Sequence, residues 1–359
     1  MKICIVGGGN IGTAMAIEFA HKNHSVNILT SRPELWNKKI SAVTQNDEEL
    51  FSAEINLVTD NISAALDSAE YIFVTLPSNL WLEFAKKVEP YIETDMKFVL
   101  VPGFGGAEFT MSPIINKGAK LFGFQRVPYI ARLKKYGQRI WFDKKSAIQI
   151  AALSEKNFSA VTHDMENLFS MQVEELPNYL CVTLTPSNPV LHTSRLYSMF
   201  KNFNYDNLPQ ENILFYADWN DEASEILFAL DDEVQQICRK LDKANLRGVK
   251  SLKVHYESKT PEELTKKLRS IKSLSKIFSP MKQIEQGWTP DFEDRYFACD
   301  FGYGLDILLQ FSKALNLRAP TMEKVMAWYN ETMNSNKHCV NILEYGLTSA
   351  EKIYDYYLI

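Results

Sequence analysis

Residues 1–12 read Met-Lys-Ile-Cys-Ile-Val-Gly-Gly-Gly-Asn-Ile-Gly. Lys2 to Val6 is a short apolar, β-branched run of the kind found in a strand buried on both faces. Gly7, Gly9 and Gly12 follow at G-x-G-x-x-G spacing, and residues 13–20 continue as an apolar helix pattern. In a strand–turn–helix unit each glycine has a physical task. The first permits the tight turn, the second lets a pyrophosphate approach the backbone, and the third lets helix and strand pack closely. The helix N-terminus adds N–H donors and partial positive charge. We read this stretch as the opening βαβ unit of a dinucleotide-binding fold, with Gly7, Gly9, Asn10, Ile11 and Gly12 as cofactor-binding residues.

Working outward, residues 25–30 (Ser-Val-Asn-Ile-Leu-Thr) predict the second strand, ending at Ser31-Arg32-Pro33. An acidic residue at this strand end hydrogen-bonds a ribose 2′-hydroxyl and repels a 2′-phosphate. Here Ser31 and Arg32 offer a hydroxyl and a guanidinium, which suits a phosphate monoester. NADP(H) is therefore favoured, with NAD(H) as the alternative; the plainer reading is that Ser31 only caps a helix begun by Pro33. A third strand is predicted at 54–58, a short helix at 62–67 and a fourth strand at 71–76, stopped by Pro77-Ser78-Asn79. A helix at 81–88 and a fifth strand at 97–101 follow, the latter ending in Pro102-Gly103-Phe104-Gly105-Gly106. Alternating strands and helices predict an α/β domain, a Rossmann-type doubly wound parallel sheet binding ligands at strand C-termini. Pro77 and Ser78 thus face the cofactor. The glycines of 102–106 either allow close ligand approach or only form a turn.

Residues 120–153 read as short strands, an extra sheet appended to the nucleotide fold. Arg126, Arg132, Lys134, Lys135 and Arg139 cluster there, a pattern more often a solvated face than an anion site. A helix at 157–170 and a strand at 172–175 close the first domain. Beyond about Cys181 helical patterns dominate, at 189–200, 222–243, 261–274, 305–315 and 322–333. Thr260-Pro261-Glu262-Glu263 is a capping box with proline at the first helical position. The division expected is a dinucleotide-binding domain over 1–180 and a mainly α-helical substrate domain over 181–359.

Composition narrows the classes. The 359 residues are 46% hydrophobic and 23% charged, with net charge −5. Bulk electrostatics therefore give no reason to expect nucleic acid or an anionic membrane. The five cysteines are scattered and never in a C-x-x-C pair, which argues for a reducing compartment without disulfides or a zinc ribbon. No apolar run is long enough to span a bilayer. The chain opens on a strand pattern with no leader, so a cytoplasmic location is expected. No metal is expected: H-E-x-x-H is absent, and His21 with His24 reads as a solvated helix end. The basic stretch 259–276 reads as an exposed helical face. The apolar helix around 226–241 could supply a homodimer surface.

Two places in the second domain depart from a helical core. In residues 185–195 (Thr-Pro-Ser-Asn-Pro-Val-Leu-His-Thr-Ser-Arg), Asn188 is a good N-cap and Pro189 a good first helical residue. His192 then lies in the first turn, where the helix dipole disfavours imidazolium and calls for an acidic partner. Residues 294–304 (Asp-Arg-Tyr-Phe-Ala-Cys-Asp-Phe-Gly-Tyr-Gly) place Arg295 and Asp300 in an aromatic setting. They read either as an Arg–Asp salt bridge in a loop with a Tyr-Gly cap, or as a partner for His192 and a fork for a carboxylate.

Taken together, the N-terminal dinucleotide motif, Asn188-Pro189-x-x-His192 and Arg295-x-x-x-x-Asp300-x-x-Tyr303-Gly304 resemble the octopine/nopaline (opine) dehydrogenase family. Residues 127–132 (Val-Pro-Tyr-Ile-Ala-Arg) resemble that family's Leu-Pro-Tyr-x-x-Arg segment. Two positions depart from it: Gly302 precedes Tyr303 where proline is common, and Thr193 follows His192 where proline is frequent. The resemblance implies NAD(P)H-dependent reductive condensation of a 2-oxo acid with the amino group of an amino acid. It implies His192 as general acid/base, Asp300 holding its imidazole, Arg295 binding a substrate carboxylate, and Asn188 and Tyr303 contacting substrate, in a cleft between the domains. Two alternatives stand beside it. One is a ketopantoate-reductase-like hydroxy-acid dehydrogenase using a lysine such as Lys240, Lys243 or Lys250; the other is a nucleotide-binding sensor without turnover.

Overall fold

The computed structural model describes residues 1–358. The chain divides into two units, Met1–Thr183 and Leu184–Leu358. The first carries twelve strands: β1 (Lys2–Val6), β2 (Ser25–Leu29), β3 (Lys39–Val43), β4 (Glu49–Glu54), β5 (Leu57–Thr59), β6 (Tyr71–Val74), β7 (Lys97–Leu100), β8 (Lys120–Phe124), β9 (Tyr129–Lys135), β10 (Arg139–Lys144), β11 (Ala147–Ala152) and β12 (Gln172–Glu175). An eight-stranded sheet runs β12-β11-β8-β7-β6-β1-β2-β5. Its pairings are parallel except β11 against β8. From β1 the chain goes first to β2 and later to β6 on the opposite side. This reversal is the switch point at which doubly wound sheets bind ligands. The apolar runs of β1, β6 and β7 are buried almost end to end, as strands covered on both faces must be.

The segment 120–153 does not form one appended sheet. β8 and β11 extend the main sheet, whereas β9 and β10 join β3 and β4 in a separate four-stranded sheet ordered β4-β3-β10-β9. The third strand expected at 54–58 is divided between the two sheets. Glu54 ends β4, and the chain re-enters the main sheet at Leu57. The helix Asn10–His21 contacts strands of both sheets. That explains its uniform apolarity: Gly12 through Phe19 are all buried, and a helix enclosed on every side has no polar face to offer.

Its one carboxylate, Glu18, is buried and fully partnered. It accepts hydrogen bonds from Lys22 Nζ (2.8 Å), Lys144 Nζ (2.6 Å) and Tyr129 Oη (2.6 Å). Burial and the adjacent carboxylate push the Tyr129 phenol well above its usual range, so it stays a donor. The Val-Pro-Tyr segment thereby ties the four-stranded sheet to the first helix. Two members of the basic cluster are paired within the same sheet, Arg139 on Asp47 (3.0 Å) and Lys134 on the Gln45 carbonyl (2.8 Å).

The second unit is built from the helices Asn188–Phe200, Asp221–Lys240, Pro261–Ser270, Asp306–Ala314 and Pro320–Thr332, with a hairpin of β13 (Met281–Ile284) and β14 (Gly287–Pro290) that the sequence did not suggest. The Thr260 capping box is present in both directions. The helix expected at 261–274 ends sooner because Ile271 turns to extended backbone. Leu227, Phe228, Leu230, Val234 and Ile237 are buried within this unit. The apolar face proposed for a dimer surface is therefore spent on the unit's own core.

Candidate active site

In the first unit the glycine loop has the form its sequence requires. Gly7 has φ of +105°, a conformation L side chains rarely adopt, and a Cβ on Gly12 would lie 1.9 Å from the Gly7 carbonyl oxygen. Thr75 Oγ1 donates to the Val6 carbonyl (2.9 Å), fastening the loop to the end of β6. Gly9 is the helix N-cap with no side-chain cap, and space beside it is open. Such a cradle fits the pyrophosphate of a dinucleotide. Asn10 has a structural task as well, since its Oδ1 accepts from the Leu133 N–H of β9 (2.8 Å). Ile11 packs partly buried against the core.

Ser31 and Arg32 are exposed just past β2. Arg32, not Ser31, precedes the short 3₁₀ turn Pro33–Leu35, and no side-chain cap forms, so the capping role considered for Ser31 is absent. The Arg32 guanidinium lies 4.3 Å above the Tyr136 ring. Pro77 is exposed and Ser78 half-buried where the chain leaves β6, beside the glycine loop at the switch point.

In the second unit His192 and Asp300 meet, although 108 positions separate them. Nδ1 lies 2.7 Å from Asp300 Oδ2, and the two residues are 5% and 7% exposed. A ring nitrogen against a carboxylate carries the hydrogen, so Nδ1–H donates to Asp300 and Nε2 keeps its lone pair in the neutral imidazole. Tyr216 Oη stands 3.3 Å from Nε2. The Tyr296 ring stacks on the imidazole at 4.2 Å and 21°, and Phe215 meets it edge-on at 5.4 Å. Arg195 supports this wall from behind, donating to the Phe215 carbonyl (3.2 Å) and the Asp218 carbonyl (2.7 Å). Burial lowers its guanidinium to about 10, which leaves it charged at neutral pH.

Three local expectations are corrected. The N-cap is Ser187, so Asn188 and Pro189 are the first two helical residues. His192 is then the fifth, beyond the turn where the helix dipole is strongest. The segment 294–304 is not a loop: Asp294 caps a helix Arg295–Asp300 by accepting from the Tyr296 N–H (2.9 Å). It runs through a π-helical turn, Phe301–Leu305, into Asp306–Ala314. π-turns recur at functional sites because the added residue re-aims the side chains around them. Close packing here depends on Gly304, where a Cβ would meet Pro189 Cβ and Cγ at 2.8 Å.

Arg295 is exposed and reaches the Tyr296 ring (5.3 Å) rather than Asp300. Tyr303 is half-buried and hydrogen-bonds Cys339, and burial raises its phenol first of all. Gly302 faces the Cys339 sulfur. The sequence reading missed Tyr216 and Tyr296, which no motif marks. Lys240, Lys243 and Lys250 are all exposed.

Residues 175–333 match the family described as NAD/NADP octopine/nopaline dehydrogenase, alpha-helical domain. Residues 2–119 match the NAD-dependent glycerol-3-phosphate dehydrogenase N-terminus. Octopine dehydrogenase of Mizuhopecten yessoensis is 21% identical over 359 residues, covering 92% of this chain and 90% of its own. The fold is similar to that of octopine dehydrogenase solved with NADH and L-arginine (TM-score 0.82, 18% identity, 98% of this chain and 97% of the other). It is also similar to the same enzyme solved with NADH and pyruvate (TM-score 0.78, 19% identity, 93% and 89%).

Proposed function

We propose that the chain is an NAD(P)-dependent oxidoreductase of the octopine/nopaline dehydrogenase kind, to which its helical unit and its fold are similar, and that it condenses a 2-oxo acid with the amino group of an amino acid, reductively, to a secondary amine dicarboxylate, and runs the reverse reaction. The carbonyl oxygen leaves as water, the new C–N bond remains, and hydride plus one proton complete the reduction. When bound, NAD(P)H supplies that hydride to the carbon of the C=N bond.

The single observation carrying this reading is the buried His192–Asp300 pair at 2.7 Å. His192 gives a proton from Nε2 as the addition product loses water, and takes one back in reverse. Asp300 keeps Nδ1–H in place and offsets the imidazolium charge that forms each time Nε2 is protonated. Arg295, exposed beside Tyr296, offers a fork to a substrate carboxylate, and Asn188 and Tyr303 complete the substrate contacts. Arg32 and Ser31, with no acidic residue at the end of β2, favour NADP(H) over NAD(H).

The assay supplies pyruvate with and without a panel of amino acids and follows NADPH and NADH absorbance. Cofactor oxidation that requires one amino acid, with that amine and pyruvate joined in the product, supports the proposal. Oxidation indifferent to the amine overturns it in favour of a hydroxy-acid dehydrogenase, for which the exposed Lys240, Lys243 and Lys250 make poor acid/base groups.

A further inference from the structure

Lys145 lies between β10 and β11, half-buried, and among the described residues its ammonium meets neither a carboxylate nor a hydrogen-bond acceptor. Lys144, one residue earlier, ends on Glu18, and Lys120 ends on Asp95 and Glu155 at 3.2 Å. The charge acting on Lys145 has its own sign: it is the Arg126 guanidinium. Burial first, and that neighbour second, lower the ammonium to about 8. Keeping a lysine out of water against an arginine is costly, and no partner of Lys145 offsets the cost. The arrangement becomes favourable once an anion joins the two cations. The sequence grouped Arg126 with a solvated face, whereas the structure leaves it half-buried.

The topology indicates which anion. β8 runs parallel to β7, and β11 runs antiparallel to β8. Arg126, two residues past the end of β8, and Lys145, two residues before β11, therefore stand at the carboxyl edge of the parallel sheet, where doubly wound folds bind ligands. The backbone holds the two links together, with Gln125 N–H donating to the Gln149 carbonyl (2.9 Å) and Lys145 N–H to the Pro128 carbonyl (3.0 Å). Gly103 N–H, from the loop after β7, donates to the Phe124 carbonyl beside them (2.8 Å). From β1 and its glycine loop, the sheet extends through β2 to β5 on one side and through β6 and β7 to β8 on the other. The β2 side meets the adenosine ribose, so the β6–β8 side takes the nicotinamide half. That half carries no phosphate beyond the shared pyrophosphate. An anion at Arg126 and Lys145 therefore belongs to the substrate, and the substrates of the proposed condensation are carboxylates.

We propose that Lys145 and Arg126 form a carboxylate subsite in the first unit, which takes one carboxylate of the oxo acid or of the amino acid. This rests on the proposed condensation and deepens it: a secondary amine dicarboxylate calls for more than one cationic anchor, and Arg295 supplies a single fork. The pair combines a point charge with a planar fork.

The test acetylates the full chain with N-hydroxysuccinimide acetate at pH about 8, NADP⁺ present throughout, and reads Lys145 by peptide mass spectrometry, normalised to exposed Lys240. The ligands are pyruvate, 2-oxoglutarate, an amino-acid panel and inorganic phosphate. A bound carboxylate keeps the lysine protonated and unreactive, so a saturating carboxylate protects Lys145 by about fivefold or more, and phosphate at equal ionic strength by less than about twofold. Protection by an oxo acid assigns the subsite to that substrate, and protection by an amino acid alone assigns it to the amine. Lys145→Met and Arg126→Gln raise the KM of the substrate so held by about tenfold or more, and Lys145→Arg by less, with melting temperature and calorimetric NADPH affinity near wild type. Labelling unmoved by every carboxylate overturns the proposal, as does equal protection by phosphate, or unchanged KM values in a folded Lys145→Met. Cofactor oxidation indifferent to amines, with Lys145 still protected by an oxo acid, overturns the condensation and keeps the subsite.

Discussion

Replacing Asp300 with asparagine keeps the shape of the His192 partner and removes its charge. A hydrogen bond to a charged acceptor contributes about 1.5–3 kcal/mol and a neutral one about 0.5–1.5 kcal/mol, so the amide forfeits about 1–2 kcal/mol of imidazolium stabilisation. That alone slows proton transfer by about five- to thirtyfold. The exchange also disturbs the tautomer. At 2.7 Å in a buried pocket, the new NH₂ can donate to Nδ1, which moves the ring proton to Nε2 and removes the lone pair that faces Tyr216. Both effects together place the fall in kcat at about 10²- to 10⁴-fold, the range of general acid–base catalysis. The glycine loop belongs to the other unit, so the Kd for NADPH stays within about twofold of wild type, a difference too small to register as a lost interaction. Steady-state rates at saturating oxo acid and amino acid, with calorimetric binding of NADPH, separate the two quantities. A kcat within about threefold of wild type refutes the reasoning, because a buried acid–base pair cannot lose its charge at so small a cost.

Gly12→Ala puts a Cβ 1.9 Å from the Gly7 carbonyl oxygen; the overpacking destabilises the first unit by about 1–3 kcal/mol, and both a lower melting temperature and a loss of calorimetric NADPH binding are expected. Asp231 is fully buried and accepts from the Leu252 N–H (2.7 Å), and burial pushes its carboxyl up to about 6 from an ordinary 3.8. The folded state therefore holds a proton that the unfolded chain releases, so stability falls as pH rises from about 4 to 6 and is flat above, a difference of about 3 kcal/mol. Asp231→Asn abolishes that slope and melts higher than wild type at pH about 7 but not at pH about 4, as scanning calorimetry at both would read. Thr260→Ala removes a cap that accepts from the Glu263 N–H (3.3 Å) and costs about 1 kcal/mol in a denaturant titration.

How much of this could be read from residues alone depends on how local the constraint is. Gly7 and Gly12 are legible because the constraints are local: Gly7 takes a positive φ that L side chains rarely adopt, and a Cβ on Gly12 would strike the carbonyl five positions back. The parallel sheet is legible for a related reason, since β1, β6 and β7 must be apolar along their whole length. The four-stranded sheet is not. β3 pairs with β10 almost a hundred residues later, and β4 alternates weakly, so neither strand announces itself before its partner is known. His192 and Asp300 stand 108 residues apart, and no spacing argument joins them; a histidine near a helix start calls for an acidic partner and Asp300 is one candidate, beside a salt bridge to Arg295, until the motif resemblance favours the pair. Tyr216 and Tyr296 stayed hidden because an aromatic residue looks the same in sequence whether it fills a core or faces an imidazole. The π-turn was hidden too, because Phe-Gly-Tyr-Gly reads as a helix stop until Gly304 is seen against Pro189.

The first helix, gripped by a sheet on either side, has a mechanical consequence. A helix with one wet face can fray or roll, and its amides exchange with solvent as it does so. Asn10–His21 has no such freedom from Gly12 to Phe19, so its backbone should be among the last in the first unit to take up deuterium, at a rate set by unfolding of the whole unit. The anion-facing turn at its start is then shaped before any phosphate arrives, and binding there should release little heat from local ordering.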